Sequence, residues 1–276
     1  MDESRRQFIK MAGGAVVMVS GAAAAGKALA QNEEEIVAAT PVPTPEPMPI
    51  PDPPPLAVGE SIKGKKWGMV VDLTKVEEGC EHCAEACHKV HNVPDFGNKK
   101  DEIKWIWEAP FENVFPNQTH QFMPEYIHEG KALALCNHCE NPPCVRACPT
   151  EATFKREDGL VLMDFHRCIG CRFCISACPY SARSLNFRDP RTVLKKEELN
   201  RQFPTRMKGV VEKCNFCAER LSQGKNPACV DACTNDALVF GDLNDPNSKV
   251  RKLLKTRYTL VRKPSLGTNP KVFYIV

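Results

Sequence analysis

The sequence carries no nucleophile–base pair in a recognisable motif, no glycine-rich phosphate loop and no cluster of substrate-polarising groups. Hydrolytic and phosphoryl-transfer chemistry therefore lack residues to perform them. Aromatic side chains are scarce, 7% of 276 residues, although an apolar share of 42% is ordinary for a chain with a buried core. Excess charge is lacking too. The formal net charge is +3, and residues 1–30 hold four basic and two acidic side chains, which leaves about +1 for the rest. A nucleic-acid partner finds no support in that balance. The apolar run from Met11 to Ala25 is only 15 residues and is interrupted by glycine, too short for a comfortable transmembrane helix.

What is abundant is cysteine, 15 residues, and proline, 23. With few large rings to pack, part of the folding free energy is expected from metal ligation. Dense cysteine has three common readings: disulfides, zinc sites or iron–sulfur clusters. The odd count argues against complete disulfide pairing. At the N-terminus SRRQFIK, the apolar run and Ala28-Leu29-Ala30 resemble a twin-arginine export signal with a small-residue cleavage site. An uncleaved anchor and an ordinary amphipathic helix remain open as alternatives. The twin-arginine route exports folded proteins, so clusters inserted before export are compatible with an oxidising destination. Residues 1–30 are thus read as signal and residues 31–60 as a proline-rich linker, with nine prolines between Pro41 and Pro55. Such a segment favours an extended conformation of about 3.1 Å per residue.

Residues 61–276 read as one iron–sulfur domain. WGMVVDL (67–73) and GLVLMDF (159–165) are short apolar runs ending near Asp and preceding cysteine groups, the pattern of strand then loop. ATF (152–154), ARSLNF (182–187) and ALVF (237–240) each follow a cysteine group. Ala152, Ala182 and Ala237 lie four residues after Cys148, Cys178 and Cys233, so one supersecondary unit recurs. His91 occupies that offset after Cys87. Trp105 and Trp107, at period two, are expected to bury against the core.

The sharpest motif is RCIGCRFCISACPY, in which Cys168, Cys171, Cys174 and Cys178 precede Pro179. This is the C-x2-C-x2-C-x3-C-P run of bacterial two-cluster ferredoxins. Three cysteines in a tight loop reach one cubane, and the fourth, on the following helix, points to another. Upstream, CNHCENPPCVRACP supplies Cys136, Cys139, Cys144 and Cys148. The crossover rule then assigns Cys136, Cys139, Cys144 and Cys178 to one [4Fe–4S] cluster and Cys168, Cys171, Cys174 and Cys148 to a second. A last group, Cys214, Cys217, Cys229 and Cys233, has an enlarged central loop and by itself is compatible with zinc. Paired with the opening Cys80, Cys83 and Cys87, it makes a second ferredoxin-like unit with the first inserted in its middle. The fold class expected is α+β, two interleaved ferredoxin-like units with long loops. The inner unit covers about 131–190, and the outer about 66–92 plus 208–243.

Four groups in this order, with FGDLNDPNSKV and RKPSLGTNPKVFYI behind them, resemble the four-cluster electron-transfer subunits of polysulfide, DMSO and nitrite reductases. The resemblance covers about residues 66–276. HNVPDF, EIKWIWE, FPTRMKGVVEKCNFCAERL and RKPSLGT resemble more narrowly the DsrO family, exported iron–sulfur subunits of DsrMKJOP complexes, also described as Hdr-like menaquinol-oxidising enzymes. The resemblance implies a place on the extracytoplasmic face of the cytoplasmic membrane in dissimilatory sulfur metabolism. It implies as partners an NrfD-like integral membrane subunit, a multihaem cytochrome c and the other subunits of such a complex. Cys87 would join Cys214, Cys217 and Cys229 around a third [4Fe–4S] cluster. Cys80, Cys83 and Cys233 remain as a three-thiolate site. Its missing ligand falls at Glu77 or Val76, depending on how the segment is counted. A [3Fe–4S] cluster, a [4Fe–4S] cluster with Glu77 or His82 as a foreign ligand, and no cluster at all are the alternatives.

The function expected is electron transfer, single electrons hopping between a quinone-handling partner and a cytochrome or catalytic subunit, with no catalytic site of this chain's own. Arg146, Arg167 and Arg172, beside ligands, are candidates for raising cluster potentials, which span roughly −700 to +450 mV in proteins. His88, His91, His138 and His166 are read as structural hydrogen-bonders. Two other readings stay open, a β subunit of a molybdopterin-dependent reductase and a zinc-stabilised interaction protein.

Overall fold

A computed structural model describes residues 63–276, Glu78 excepted. The export-signal and linker readings lie outside the described residues. The architecture is mixed α and β, with small sheets and short helices. In chain order the elements are β1 (Trp67–Asp72), α1 (His82–Val90), β2 (Ile106–Pro110), α2 (Phe111–Val114), α3 (Glu125–His128) and β3 (Lys131–Leu135). Then come α4 (Pro143–Arg146), β4 (Thr153–Lys155), β5 (Val161–Met163), α5 (Phe173–Ala177), β6 (Ser184–Leu185) and β7 (Val211–Glu212). The chain closes with α6 (Ala218–Leu221), α7 (Ala228–Asp231), β8 (Leu238–Asp242), α8 (Lys249–Thr256) and β9 (Val272–Ile275).

The largest sheet has the order β8–β1–β9, β1 pairing antiparallel with β8 and parallel with β9. Alternation along β1 explains its place. Met69 and Val71 enter the main core, while Val70 faces the other way and packs with Val250 of α8 and Ile275. Ser248 caps α8 by accepting from the Arg251 amide at 3.2 Å, which fixes the end of the helix that carries Val250. The two-stranded ladders β2–β3, β4–β5 and β6–β7 are antiparallel.

These strands serve the cysteine groups. β3 runs straight into Cys136, and β7 ends two residues before Cys214. Helix α1 packs on α7, and α4 packs on α5, so short helices that hold cysteines meet in pairs. The two expected strands appear as β1 and β5, and the segments that follow three of the cysteine groups form β4, β6 and β8. The expected position of Cys178 needs correction: helix α5 holds Cys174, and Cys178 follows as its C-cap in extended conformation. Trp105 is fully buried, whereas Trp107 is only half-buried.

One polar group sits deep in the core. Arg206 and Glu212 are both wholly buried and bonded at 2.5 Å. Arg206 also donates to the carbonyls of His91 and Asn92, just past α1. Glu212 accepts from the Trp105 indole at 2.9 Å and from Asn186 at 2.6 Å. A buried ion pair needs such additional hydrogen bonds to offset its desolvation.

Candidate metal centres

All fifteen cysteines are free, and each is buried or half-buried. A small cavity is walled by Cys136, Cys139, Cys144 and Cys178, with Arg183 and Tyr180 beside them. A second is walled by Cys148, Cys168, Cys171 and Cys174. A further cavity is bordered by Cys80, Cys83 and Cys233, with Val76 and Glu77 on its wall. Cys87 lies among Cys214, Cys229 and Cys217, close enough for their charges to repel. His82 keeps to the outside, its Nδ1 3.7 Å from Cys80 Sγ.

The four groups stand in a row. Cys174 of the second cavity neighbours Cys144 of the first. Cys136 of the first neighbours Cys214 of the Cys87 group. Cys83, on the three-cysteine cavity, neighbours Cys87 and Cys229.

Local backbone explains how each loop wraps its space. Gly170 takes φ +68°, and a Cβ there would collide with the Gly209 carbonyl oxygen, so the loop after Cys168 requires glycine. Cys217 adopts a left-handed conformation at φ 51°, supported by its amide donating to Asn215 Oδ1 at 2.8 Å. The recurring alanine has a physical role at one group, where the Ala237 amide donates to Cys233 Sγ at 3.2 Å; Cys148 Sγ accepts instead from the next amide along, that of Thr153, at 3.4 Å. Hydrogen bonds from backbone amides favour the thiolate.

Burial pushes most of these thiols up, and their mutual repulsion adds to it. Burial and then Cys136 raise Cys139 to about 12; burial and then Cys80 and Cys233 raise Cys83 to about 11. Cys214 is raised to about 12 by burial and then by Cys136. Cys87 and Cys229 are raised well above the ordinary thiol value, again by burial first. Cys148 runs the other way: burial acts upward but is outweighed by hydrogen bonds, led by the Thr153 amide. Converging buried thiols cannot ionise together without a strongly cationic centre among them, which is what iron in a sulfide cage supplies. The donors fit such a group on a further count: Nη2 of Arg183 is buried with no hydrogen-bond partner in the protein and stands beside the first cavity.

The cations named from sequence sit differently. Arg146, Arg167 and Arg172 are exposed, while the buried ones are Arg183, Arg206, Lys213, Arg262 and Lys271. Lys213 donates to the Val161 and Cys214 carbonyls. Of the four histidines, the rings of His91 and His138 bond within the protein, whereas His88 Nε2 is buried without a partner. His138 is fully buried and stacked on Phe216 at 3.9 Å, and its Nδ1 accepts from the Val161 amide. Its Nε2 must then donate to the Cys214 carbonyl, a neutral tautomer in keeping with a proton affinity lowered by burial and Lys213. His91 joins the Cys87 carbonyl at 2.8 Å to Glu219 at 2.8 Å. His91 and Glu219 also lie within ligand distance of Cys217, a grouping the sequence pattern hid because 128 residues separate the histidine from the carboxylate. His166 is exposed.

Thiol-lined cavities carried on short helices and two-stranded ladders define an iron–sulfur protein. A family profile described as a 4Fe-4S dicluster domain matches residues 132–196 and 191–243. Among curated proteins, this one is 41% identical to Hdr-like menaquinol oxidoreductase iron-sulfur subunit 1 of Archaeoglobus fulgidus, across 76% of its own length and 83% of that protein. It is 39% identical to the arsenate respiratory reductase iron-sulfur subunit ArrB of a Shewanella species, across 75% and 95%. It is 36% identical to the menaquinone reductase iron–sulfur cluster-binding subunit of Nitratidesulfovibrio vulgaris, across 76% and 88%. The protein belongs to this family of iron–sulfur electron-transfer subunits of oxidoreductase complexes and holds multiple [4Fe–4S] clusters.

Proposed function

We propose that this chain is the wire of a quinol-linked complex in dissimilatory sulfur metabolism, passing single electrons between a quinol-handling NrfD-like membrane subunit and a cytochrome c or catalytic subunit. The observation that carries this reading is the succession of thiol groups through the protein, second cavity, first cavity, Cys87 group and three-cysteine cavity, each within electrostatic reach of the next. When bound, the clusters supply the one-electron chemistry. The protein supplies ligands, amide hydrogen bonds, a buried cation and exclusion of water.

The ligand sets follow the cavity walls. Cys136, Cys139, Cys144 and Cys178 hold one [4Fe–4S] cluster, and Cys148, Cys168, Cys171 and Cys174 hold a second. Cys87, Cys214, Cys217 and Cys229 hold a third. Cys80, Cys83 and Cys233 would hold a [3Fe–4S] cluster in the cavity whose wall also carries Glu77. The packing of α4 on α5 and of α1 on α7 supports two interleaved ferredoxin-like units, about 131–190 and about 66–92 plus 208–243.

Both ends of the row reach the surface. Ile169 and Phe173, 68% and 60% exposed, flank the loop around the second cavity and offer an apolar contact to one redox partner. Val76 and Glu77, at the other end, also line a groove with Leu73, Phe111, Ile127 and Val276. No helix among the described residues is long and apolar enough to cross a membrane, so attachment is assigned to partners. Residues 1–30 are assigned to export by the twin-arginine route and residues 31–60 to a proline-rich spacer, which places the domain on the extracytoplasmic face.

The test is iron and acid-labile sulfide per chain in anaerobically purified protein, with low-temperature EPR through a redox titration and reduction by a menaquinol analogue in the assembled complex. Three interacting [4Fe–4S] signals plus an oxidised three-iron signal are expected. A colourless, zinc-containing protein would overturn the reading.

A further inference from the structure

Arg183 has a side chain that the electron path as described above does not yet use. It is 5% exposed, and among the described residues no carboxylate forms a salt bridge with it. A buried guanidinium with no counter-charge is strongly unfavourable, since its desolvation amounts to several kcal/mol. Its surroundings identify what neutralises it. Arg183 lines the cavity of Cys136, Cys139, Cys144 and Cys178. Its Nη1 donates to Thr153 Oγ1 and Met163 Sδ, both at 3.1 Å, and these two residues line the neighbouring cavity of Cys148, Cys168, Cys171 and Cys174. The guanidinium lies within electrostatic reach of Cys144 from one set and Cys174 from the other. Its Nη2, buried and without a partner in the protein, keeps two N–H donors for whatever sulfur fills the adjacent space.

Resting on the cluster assignment above, we propose that Arg183 is the shared counter-cation of the two inner clusters: a positioning residue in the wall between them that raises both potentials and holds them close together. Reduction adds one negative charge to a cluster, and a fixed cation nearby stabilises that charge most where water is excluded. A single cation serving both clusters acts on both in the same direction, so an electron meets no large step between them. The planar fork matters as well as the charge, because one nitrogen is anchored on Thr153 while the other remains free to donate.

The experiment is an EPR-monitored redox titration of the full chain carrying Arg183→Gln, Arg183→Lys or Arg146→Gln, with iron and sulfide measured in each. Arg183→Gln is expected to load its clusters and to make both inner clusters at least tenfold harder to reduce, which is about 59 mV for a one-electron couple. Arg183→Lys, which keeps the charge but loses the fork, is expected to shift both the same way by less. Arg146→Gln, exposed although it is close to Cys144 in sequence, is expected to move neither by more than twofold. Should Arg183→Gln fail to load, Arg183→Lys decides. Loaded Arg183 variants with both inner midpoints unchanged would overturn the proposal while leaving the cluster assignment standing. A wild-type chain without iron and sulfide would instead overturn the assignment itself.

Discussion

Replacing Glu212 by glutamine tests how the third ligand set is held in register. Arg206 ties the His91 and Asn92 carbonyls, at the end of the helix bearing Cys87, to Glu212, two residues before Cys214. Both partners of the pair are 0% exposed. Glutamine removes the negative charge and turns an N–H2 group toward donors, because Trp105 and Arg206 bond one oxygen while Asn186 bonds the other. Breaking a buried pair from one side destabilises by about 3–5 kcal/mol. If that loss falls on local opening of this region, even the lower figure accelerates opening-limited cluster loss roughly 10²-fold. The assay is the rate at which an iron chelator bleaches each cluster, resolved by EPR, with the third cluster expected to go first. Lys195→Ala is the control, since its pair with Glu198 is exposed on both sides and is worth about 0–1 kcal/mol. Chelation rates in Glu212→Gln equal to those of the parent protein, with the third signal intact, would refute the reasoning.

Cys178→Ser is expected to abolish or alter the cluster of Cys136, Cys139 and Cys144 while leaving that of Cys168, Cys171 and Cys174 intact by EPR, although Cys178 is adjacent to the latter in sequence. Glu77→Cys should place a fourth thiolate on the wall beside Cys80, Cys83 and Cys233, adding one iron per chain and removing the oxidised three-iron signal. Gly170→Ala, forced to hold φ +68° against the Gly209 carbonyl, should lower iron loading at the second cavity; alanine in a left-handed conformation alone costs about 1–2 kcal/mol. Glu140 is held down to about 2, chiefly by the hydrogen bond from Lys155, with burial opposing and Lys66 and Lys271 adding to the lowering. A carboxylate lowered in the folded state stabilises above its unfolded value of 4.5 and loses that contribution as pH falls toward 2. Acid unfolding of Glu140→Gln should therefore show a shallower pH dependence in that window than the parent chain.

Much of the site was legible because cluster ligation depends on local spacing. C-x2-C-x2-C-x3-C-P needs its residues at those intervals to wrap a loop around a small inorganic body, so the intervals survive in the sequence as a pattern. The alanine four residues past three of the groups was legible as a repeat, and at Cys233 its amide reaches the sulfur. Burial of Trp105 was expected, but it precedes β2, and Trp107 at the same period of two is only half-buried. Other features could not be read this way. Proximity in sequence suggested Arg146, Arg167 and Arg172 as charges near the clusters, yet helix ends and loop tips turned all three toward solvent. Arg183 reaches the wall between two cavities because β6 brings it there, and no spacing rule encodes that.

By itself, then, the sequence determined the kind of ligand, the grouping of cysteines into loops and the kind of chemistry they serve, because each depends on contacts between residues a few positions apart. Only the tertiary structure decided which cation lies between the first two thiol-lined cavities, which carboxylate stands beside the three-cysteine cavity, and the order of the four thiol groups. Those depend on where β1, β7 and the short helices pack, and packing is set by buried surfaces far apart in the chain.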